Sequence, residues 1–173
     1  MATTAVDLLA PLHRLSLERY MRMAEAGVFD DGVRVELIDG VIVEMSPMSE
    51  PHARAVAWIN KILVPQLDPA LILLPQLHIG MPEQRSAPEP DISIITQEDH
   101  PSGEAIPLLV IEVSLTSLRY DRGTKSRLYA RRGVPEYWIL NVAEAVMETH
   151  RAPTGELWAS GRCTVPATRC GRC

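Results

Sequence analysis

The sequence predicts an α/β domain with a mixed β-sheet, and three observations carry this prediction. The chain has 173 residues, of which 46% are hydrophobic, as expected for one globular domain. Helical and strand periods alternate in the order helix, hairpin, helix, several strands, helix and strands. This order is not a regular βαβ repeat, so we expect a mixed sheet. We place the domain at 16–158, between an N-terminal tail, 1–15, and a C-terminal tail, 159–173.

The N-terminal half opens with a helix and a hairpin. Ser16 is a helix N-cap candidate, apolar residues follow at helical spacing, and Gly27 supplies the stop. Two strand-like runs, 33–38 and 41–45, flank Asp39-Gly40. An Asp-Gly pair between strand-like runs is the strongest short-range hairpin signal, so we predict a hairpin with its turn at these two residues.

A second helix and several strands follow the hairpin. Ser49 and Pro51 open the helix, and one apolar face is expected to hold Ala55, Trp58, Ile59, Ile62 and Leu63. Short strands are predicted at 71–74 and 76–79, separated by Pro75. The segment 85–89 has a loop composition. Strands are then predicted at 90–95, which Pro90 introduces, and around 108–114.

The C-terminal part is predicted as a helix, two strands and a tail. The helix covers 121–132 and ends at Gly133, and strands follow at 136–142 and 146–150. From Ala159 we expect a loosely structured end. Its cysteines are Cys163, Cys170 and Cys173, which are too clustered to form a disulfide framework for the core. No histidine accompanies them, so a four-ligand zinc site is disfavoured.

Composition limits the classes of function. No run approaches the roughly 18 apolar residues of a membrane span, and the first residues do not resemble a signal peptide, so we expect a cytoplasmic protein without a membrane partner. The net charge of −5 argues mildly against a surface covered with nucleic acid. The charge is unevenly distributed, however, because 119–132 contains six Lys and Arg residues and only one acid, Asp121, and is therefore locally positive.

Three acidic residues lie in strand contexts and are candidates for a metal site. They are Glu36, Asp91 and Glu112. Glu112 interrupts an apolar run, and a buried carboxylate needs a cation or a metal ion. Asp91 and Glu112 are spaced so that they can be neighbours across a sheet. Two carboxylates suit Mg²⁺, which keeps several of its waters.

The basic helix adds a candidate catalyst. Lys125 and Tyr129 are four residues apart and share a helix face, which also includes Asp121. A lysine beside two metal-binding carboxylates could orient or deprotonate a water and stabilise charge on a phosphate.

The ordered set of motifs resembles the Uma family of putative restriction endonucleases, in the PD-(D/E)XK nuclease superfamily. The resemblance runs from about Ser16 to Arg151. The matching residues are Val35-Glu36-Leu37-Ile38-Asp39-Gly40, Met45-Ser46-Pro47, His52, Pro90-Asp91, Val110-Ile111-Glu112-Val113-Ser114, Asp121, Lys125, Tyr129 and Gly133-Val134-Pro135-Glu136-Tyr137-Trp138-Ile139.

The resemblance implies a restriction-endonuclease-like fold, a mixed sheet flanked by helices, with a phosphodiesterase site that uses Mg²⁺ or Mn²⁺. Asp91 and Glu112 would bind the metal, Glu36 would complete the acidic cluster, and Lys125 would be the catalytic lysine. DNA would contact the basic helix 121–132. Ser114 departs from the superfamily pattern, which has a lysine two residues after the second acid. The unmatched ending raises the question of truncation, and a homodimer is left open.

Other interpretations of the same residues stay open. Glu112 could pair with an arginine at a sheet edge, Asp91 could be a strand-start residue, and Glu36 and Lys125 could face solvent. His52 and Tyr129 are candidates for peripheral site residues, although packing roles are commoner for both. At the level of function, the alternatives are a non-catalytic module that binds nucleic acid or protein, and a hydrolase of a small phosphorylated molecule.

Overall fold

A six-stranded mixed sheet and a separate two-stranded hairpin organise the chain, as a computed structural model shows for residues 12–29, 32–100 and 105–166, with backbone alone for 160–166. The helices are α1 (Leu17–Glu25), α2 (Glu50–Leu63), α3 (Leu118–Tyr120) and α4 (Ser126–Arg132), with a π-helical turn (Asp121–Lys125) joining the last two. The strands are β1 (Val35–Ile38), β2 (Val41–Glu44), β3 (Leu71–Pro75), β4 (Ile92–Thr96), β5 (Leu109–Ser114), β6 (Glu136–Asn141), β7 (Val146–Thr154) and β8 (Leu157–Pro166).

The large sheet has the strand order β3-β4-β5-β6-β7-β8, and β1 pairs with β2 in the hairpin. Strands β5 and β6 are parallel, whereas the other neighbours are antiparallel. The parallel pair needs a crossover, and the helical segment from Leu118 to Arg132 supplies it. The predicted α/β class with a mixed sheet flanked by helices is therefore confirmed. No helix in the described ranges has the length and hydrophobicity that a membrane crossing would need.

Local sequence signals set the first elements as predicted. The Ser16 side chain accepts a hydrogen bond from the backbone of α1, and Ser49 does the same for α2, so both serines are N-caps. In the hairpin turn, Asp39 has φ 48° and Gly40 has φ 78°. Positive φ at both central residues is the conformation of a type I′ turn, which the Asp-Gly pair favours.

Two predictions about the middle of the chain are wrong. Residues 76–79 form no strand, and Pro75 belongs to β3 instead of separating two strands. Gln76 has φ 49°, and this left-handed conformation ends the extended backbone. On α2, Ile59 is buried and Ala55 and Leu63 pack against the same core cluster as predicted, but Trp58 is 44% exposed and Val56 is buried in its place.

The expected loose end is also wrong where the structure describes it. Strand β8 extends through Pro166 and pairs antiparallel with β7, with a register irregularity between Thr149 and Arg151. The pairing partner, not local periodicity, makes this segment a strand. The cysteines at 170 and 173 lie outside the described residues, as do 1–11 of the predicted N-terminal tail.

The two faces of β5 contact different helices. Ile111 and Val113 pack with Val56 and Ile59 of α2 on one face. Val110 packs on the other face with a cluster that includes Tyr129 of α4. Because side chains alternate along a strand, Glu112 points to the same side as Val110, toward α4.

Hydrogen bonds attach the hairpin to the segment 85–89, which runs antiparallel beside β1. The backbone N–H of Ala87 donates to the carbonyl of Leu37 at 2.8 Å, and that of Gly40 donates to the carbonyl of Arg85 at 2.7 Å. The Asp39 N–H donates to the Ser86 hydroxyl at 2.8 Å. This ladder fixes β1, and with it Glu36, beside the chain that leads to Asp91.

Candidate active site

Glu112 lies in the middle of β5 and is buried, with 4% of its surface exposed. One carboxylate oxygen, Oε1, accepts a hydrogen bond from the Tyr129 hydroxyl at 2.8 Å and another from the Lys125 ammonium at 3.0 Å. Burial raises the pKa of this carboxyl well above its ordinary value, and the Lys125 charge counteracts that shift. The partners required for a carboxylate in an apolar strand are therefore two side chains of the following helix.

Lys125 is buried between two acids. Its Nζ lies 3.0 Å from Oε1 of Glu112 and 3.3 Å from Oε2 of Glu36. Burial lowers the pKa of a lysine, but here the carboxylates of Glu112 and Glu36 outweigh it, so the pKa of Lys125 is raised. The side chain consequently carries a positive charge across the physiological pH range.

Glu36 projects from β1 into the same cluster and is 2% exposed. Besides the lysine, it accepts hydrogen bonds at 3.1 Å from the Tyr120 hydroxyl and from the backbone N–H of Glu89. The solvent-facing alternative for Glu36 is thus wrong. The hairpin and the helical crossover, which are distant in sequence, meet at this carboxylate.

A π-helical turn positions the cluster residues of the crossover. Its residues Asp121 and Lys125 are both buried, and its last hydrogen bond runs from Ser126 N–H to the Asp121 carbonyl. Turns of this kind are rare and occur often at functional sites. The Asp121 carboxylate accepts hydrogen bonds from the hydroxyls of Ser114 and Ser117, and burial raises its pKa. Ser114, at the position where the superfamily pattern has a lysine, therefore anchors the turn that carries Lys125.

Asp91 lies immediately before β4, opposite Glu112. Ile92 pairs with Ile111 in an antiparallel register, so one position further along Asp91 faces Glu112 on the same side of the sheet. Its Oδ2 accepts a hydrogen bond from the Val113 N–H at 2.7 Å. The proposed neighbours across the sheet do come together.

His52, in the first turn of α2, contacts Asp91. Its Nε2 lies 3.1 Å from both carboxylate oxygens. This hydrogen bond raises the pKa of His52, although burial opposes the shift. With side chains 18% and 14% exposed, respectively, His52 and Asp91 are more accessible than Glu36, Glu112 and Lys125, so this contact marks the side from which solvent reaches the cluster.

The donor set fits a metal ion held by few protein ligands. Within the described ranges, no group of three or more His, Cys, Asp and Glu side chains is arranged as a metal cage. Asp91 and Glu112 nevertheless face each other, and Mg²⁺ commonly takes only one or two carboxylates and completes its shell with water. Oε1 of Glu112 is engaged by Lys125 and Tyr129, which leaves Oε2 as its candidate metal-binding atom.

The structure thus gathers all six of the predicted site residues around two neighbouring centres. Glu36, Glu112, Lys125 and Tyr129 share one cluster, and Asp91 with His52 lies beside it. Their functional roles stay predictions. Sequence reasoning missed Tyr120 as a partner of Glu36, and no local signal links these two residues, because they are 84 positions apart.

The basic helix is less available for DNA than its composition suggests. Lys125 is buried, Arg122 pairs with Glu148, and Arg131 pairs with Asp39 and Glu156. Acids from other elements thus offset much of the local positive charge. Arg119 and Arg127 remain exposed on this segment.

Comparison with known proteins identifies the class and then the family. A crystal structure of a putative nuclease belonging to DUF820 from Anabaena variabilis matches with a TM-score of 0.64 and 18% sequence identity, covering 88% of this chain and 84% of that one. The chain therefore has the fold of that nuclease. The family model named Uma2, described as putative restriction endonuclease, matches residues 17–165. The protein belongs to the Uma2 family, as its motifs indicated. Among curated proteins, none matches.

Proposed function

We propose that the protein is a metal-dependent nuclease that hydrolyses phosphodiester bonds of DNA. The observation that carries the proposal is the arrangement of Lys125 between two buried acids, with Asp91 facing one of them. Membership of a family described as putative restriction endonuclease supports the reaction class. Mg²⁺ would be held by Asp91 and Glu112, and Mn²⁺ would suit the same oxygen donors.

Each side chain has a role that follows from its charge. When bound, the metal ion would lower the pKa of a coordinated water and polarise the phosphate. Lys125 stays protonated because its acidic neighbours raise its pKa. A protonated lysine suits the role of a hydrogen-bond donor that orients the attacking water and stabilises charge on the phosphate.

The remaining residues hold these groups in place. Glu36 and the Tyr129 hydroxyl fix the position of the lysine and of Glu112 through the contacts described above. His52 binds the carboxylate of Asp91 and thereby orients it. The roles of these three residues are positioning roles, because none of them supplies the charge that the phosphate meets.

The proposal is tested with plasmid DNA incubated with the purified protein and Mg²⁺ or EDTA. Wild-type protein should nick or linearise the plasmid only with Mg²⁺, and the variants Asp91→Ala and Glu112→Ala should not. Glu98→Ala, which removes an exposed acid after β4, is the matched control and should cleave normally. Cleavage that persists in EDTA, or in both site variants, contradicts the proposed metal site.

A second candidate function is a non-catalytic module that binds nucleic acid or protein. The observation in its favour is that Lys125 already pairs with both buried acids, so the cluster is satisfied without a metal ion. A folded wild-type protein that binds DNA but never cleaves it, with either Mg²⁺ or Mn²⁺, would support this candidate. Dimerisation stays a prediction and is checked by light scattering of the same sample.

A further inference from the structure

A shallow cleft lies at the tip of the hairpin, away from the acidic cluster. Its volume is about 440 Å³, and it is largely open to solvent. The hairpin turn, the turn that precedes segment 85–89, and the C-terminal end of α4 surround it. The lining residues are Arg14, Asp39, Glu83, Gln84, Arg85 and Arg131.

Three arginines line this cleft, called here the arginine cleft. Its lining has three cations and two acids, a balance of +1, and the Arg131 guanidinium also pairs with Glu156 outside the lining. The Asp39 carboxylate is already paired with Arg131 at 2.7 Å. Arginine guanidinium groups match the geometry of phosphate oxygens, so the chemistry of the cleft favours a phosphate group.

The arginines differ in how they are held. Arg14 donates to the Asp39 carbonyl at 2.5 Å, and Arg131 is fixed by its ion pairs. Arg85 is exposed, and among the described residues its guanidinium has no ion pair or hydrogen bond. Its backbone is fixed, however, because its carbonyl accepts from the Gly40 N–H. A rigid backbone with an available guanidinium suits ligand binding.

The spacing between the arginine cleft and the acidic cluster suits a polymer. Asp39 follows Glu36 by three residues of nearly extended chain, about 10 Å at roughly 3.3 Å per residue. Arg131 follows Lys125 by six residues of helix, about 9 Å at roughly 1.5 Å per residue. Phosphates on one DNA strand recur about every 3.4 Å along the helix axis, so the separation corresponds to about three nucleotides.

We propose that the arginine cleft binds a backbone phosphate of the DNA strand, about three nucleotides from the bond that is cleaved at the acidic cluster. This inference rests on the proposed nuclease function and defines its substrate class. A shallow, open cleft can bind a continuous strand, whereas a small phosphorylated molecule would not reach both sites. The substrate is therefore a polynucleotide.

Binding is tested with a fluorescein-labelled 16-base-pair DNA duplex, by anisotropy in EDTA at several salt concentrations. Arg85→Gln should weaken binding about tenfold at low salt and reduce the slope of log affinity against log salt by about 1, because one phosphate contact is lost. Arg85→Lys should restore part of the affinity. Arg22→Gln, at an exposed arginine near the end of α1, is the control and should bind like wild type.

The outcomes separate this inference from the proposed function. Unchanged affinity and salt slope in Arg85→Gln, or an equal loss in Arg22→Gln, would overturn the arginine cleft as a phosphate site, and so would a wild-type protein that binds no DNA. If Arg85→Gln weakens binding while wild-type protein cleaves nothing with Mg²⁺, the cleft stands and the nuclease proposal fails. Circular dichroism confirms that each variant is folded.

Discussion

Replacing Lys125 with methionine tests whether the buried ion pairs hold the acidic cluster together. Methionine keeps much of the side-chain volume but removes the charge, so Glu36 and Glu112 would be left buried without their cation. At 3.0 and 3.3 Å, each contact has a Coulomb energy of about 5 kcal/mol at an effective dielectric constant of about 20. Lost hydration offsets part of this energy, and removing one partner of a buried pair typically costs about 3–5 kcal/mol.

The measurement is urea unfolding followed by circular dichroism. With a slope of about 2 kcal/mol per molar urea, this loss lowers the unfolding midpoint by about 2 M. The double variant Lys125→Met/Glu112→Gln should recover part of the stability, because it also removes one of the unpaired charges. Leu118→Met, on the same crossover, is a control substitution without charge and should change the midpoint little.

The stability deficit of Lys125→Met should depend on pH. Lys125 lowers the pKa of Glu112, so its removal raises that pKa further above the value in the unfolded chain. Between these two pKa values the folded state binds more protons than the unfolded state, and stability falls as pH rises. The deficit should therefore be larger at pH 8 than at pH 5. A variant as stable as wild type, or a deficit that is independent of pH and unrelieved by Glu112→Gln, would refute this reasoning.

Two further predictions concern stability. Gly40→Ala should destabilise the protein by at least about 2 kcal/mol in urea unfolding. The backbone at position 40 has φ 78°, and the added Cβ of the alanine would lie 2.7 Å from a side-chain carbon of Arg14. Gly155→Ala has a similar φ but open space, so it should cost only about 1 kcal/mol, and equal losses would contradict the steric argument. Asp121→Ala should cost about 1–3 kcal/mol, because two serine hydroxyls lose their acceptor. The double variant with Ser114→Ala should cost less than the sum, and strict additivity would show that the hydrogen bond contributes nothing.

The sequence predicted those features that depend on local signals. The Asp39-Gly40 pair specified the hairpin, Ser16 and Ser49 specified the helix starts, and a carboxylate in an apolar strand identified Glu112. The four-residue spacing of Lys125 and Tyr129 also placed both on one helix face, and both reach Glu112.

Features that depend on contacts between distant segments could not be predicted in this way. The Tyr120 hydroxyl meets Glu36 only because the crossover packs against the hairpin. Strand β8 lacks a clear alternation of apolar and polar residues in its sequence, and it forms a strand because it pairs with β7. Gln76 adopts a left-handed backbone conformation that ends the strand, and the sequence does not signal it because no glycine stands there.

The π-helical turn makes the chain length between Tyr120 and Lys125 a determinant of the cluster. A π-helical turn holds more residues than an α-helical one, and each residue advances an α-helix by about 100°. Deleting Gly123, which has open space around it, would allow ordinary helical pairing and rotate one flank of the turn against the other. With Lys125 and Tyr129 retained by Glu112, it is Tyr120 and Asp121 that would lose their partners. The π-helical turn thus sets the rotation of Tyr120 and Asp121 relative to Lys125 and Tyr129, and one residue more or less in this turn changes that rotation.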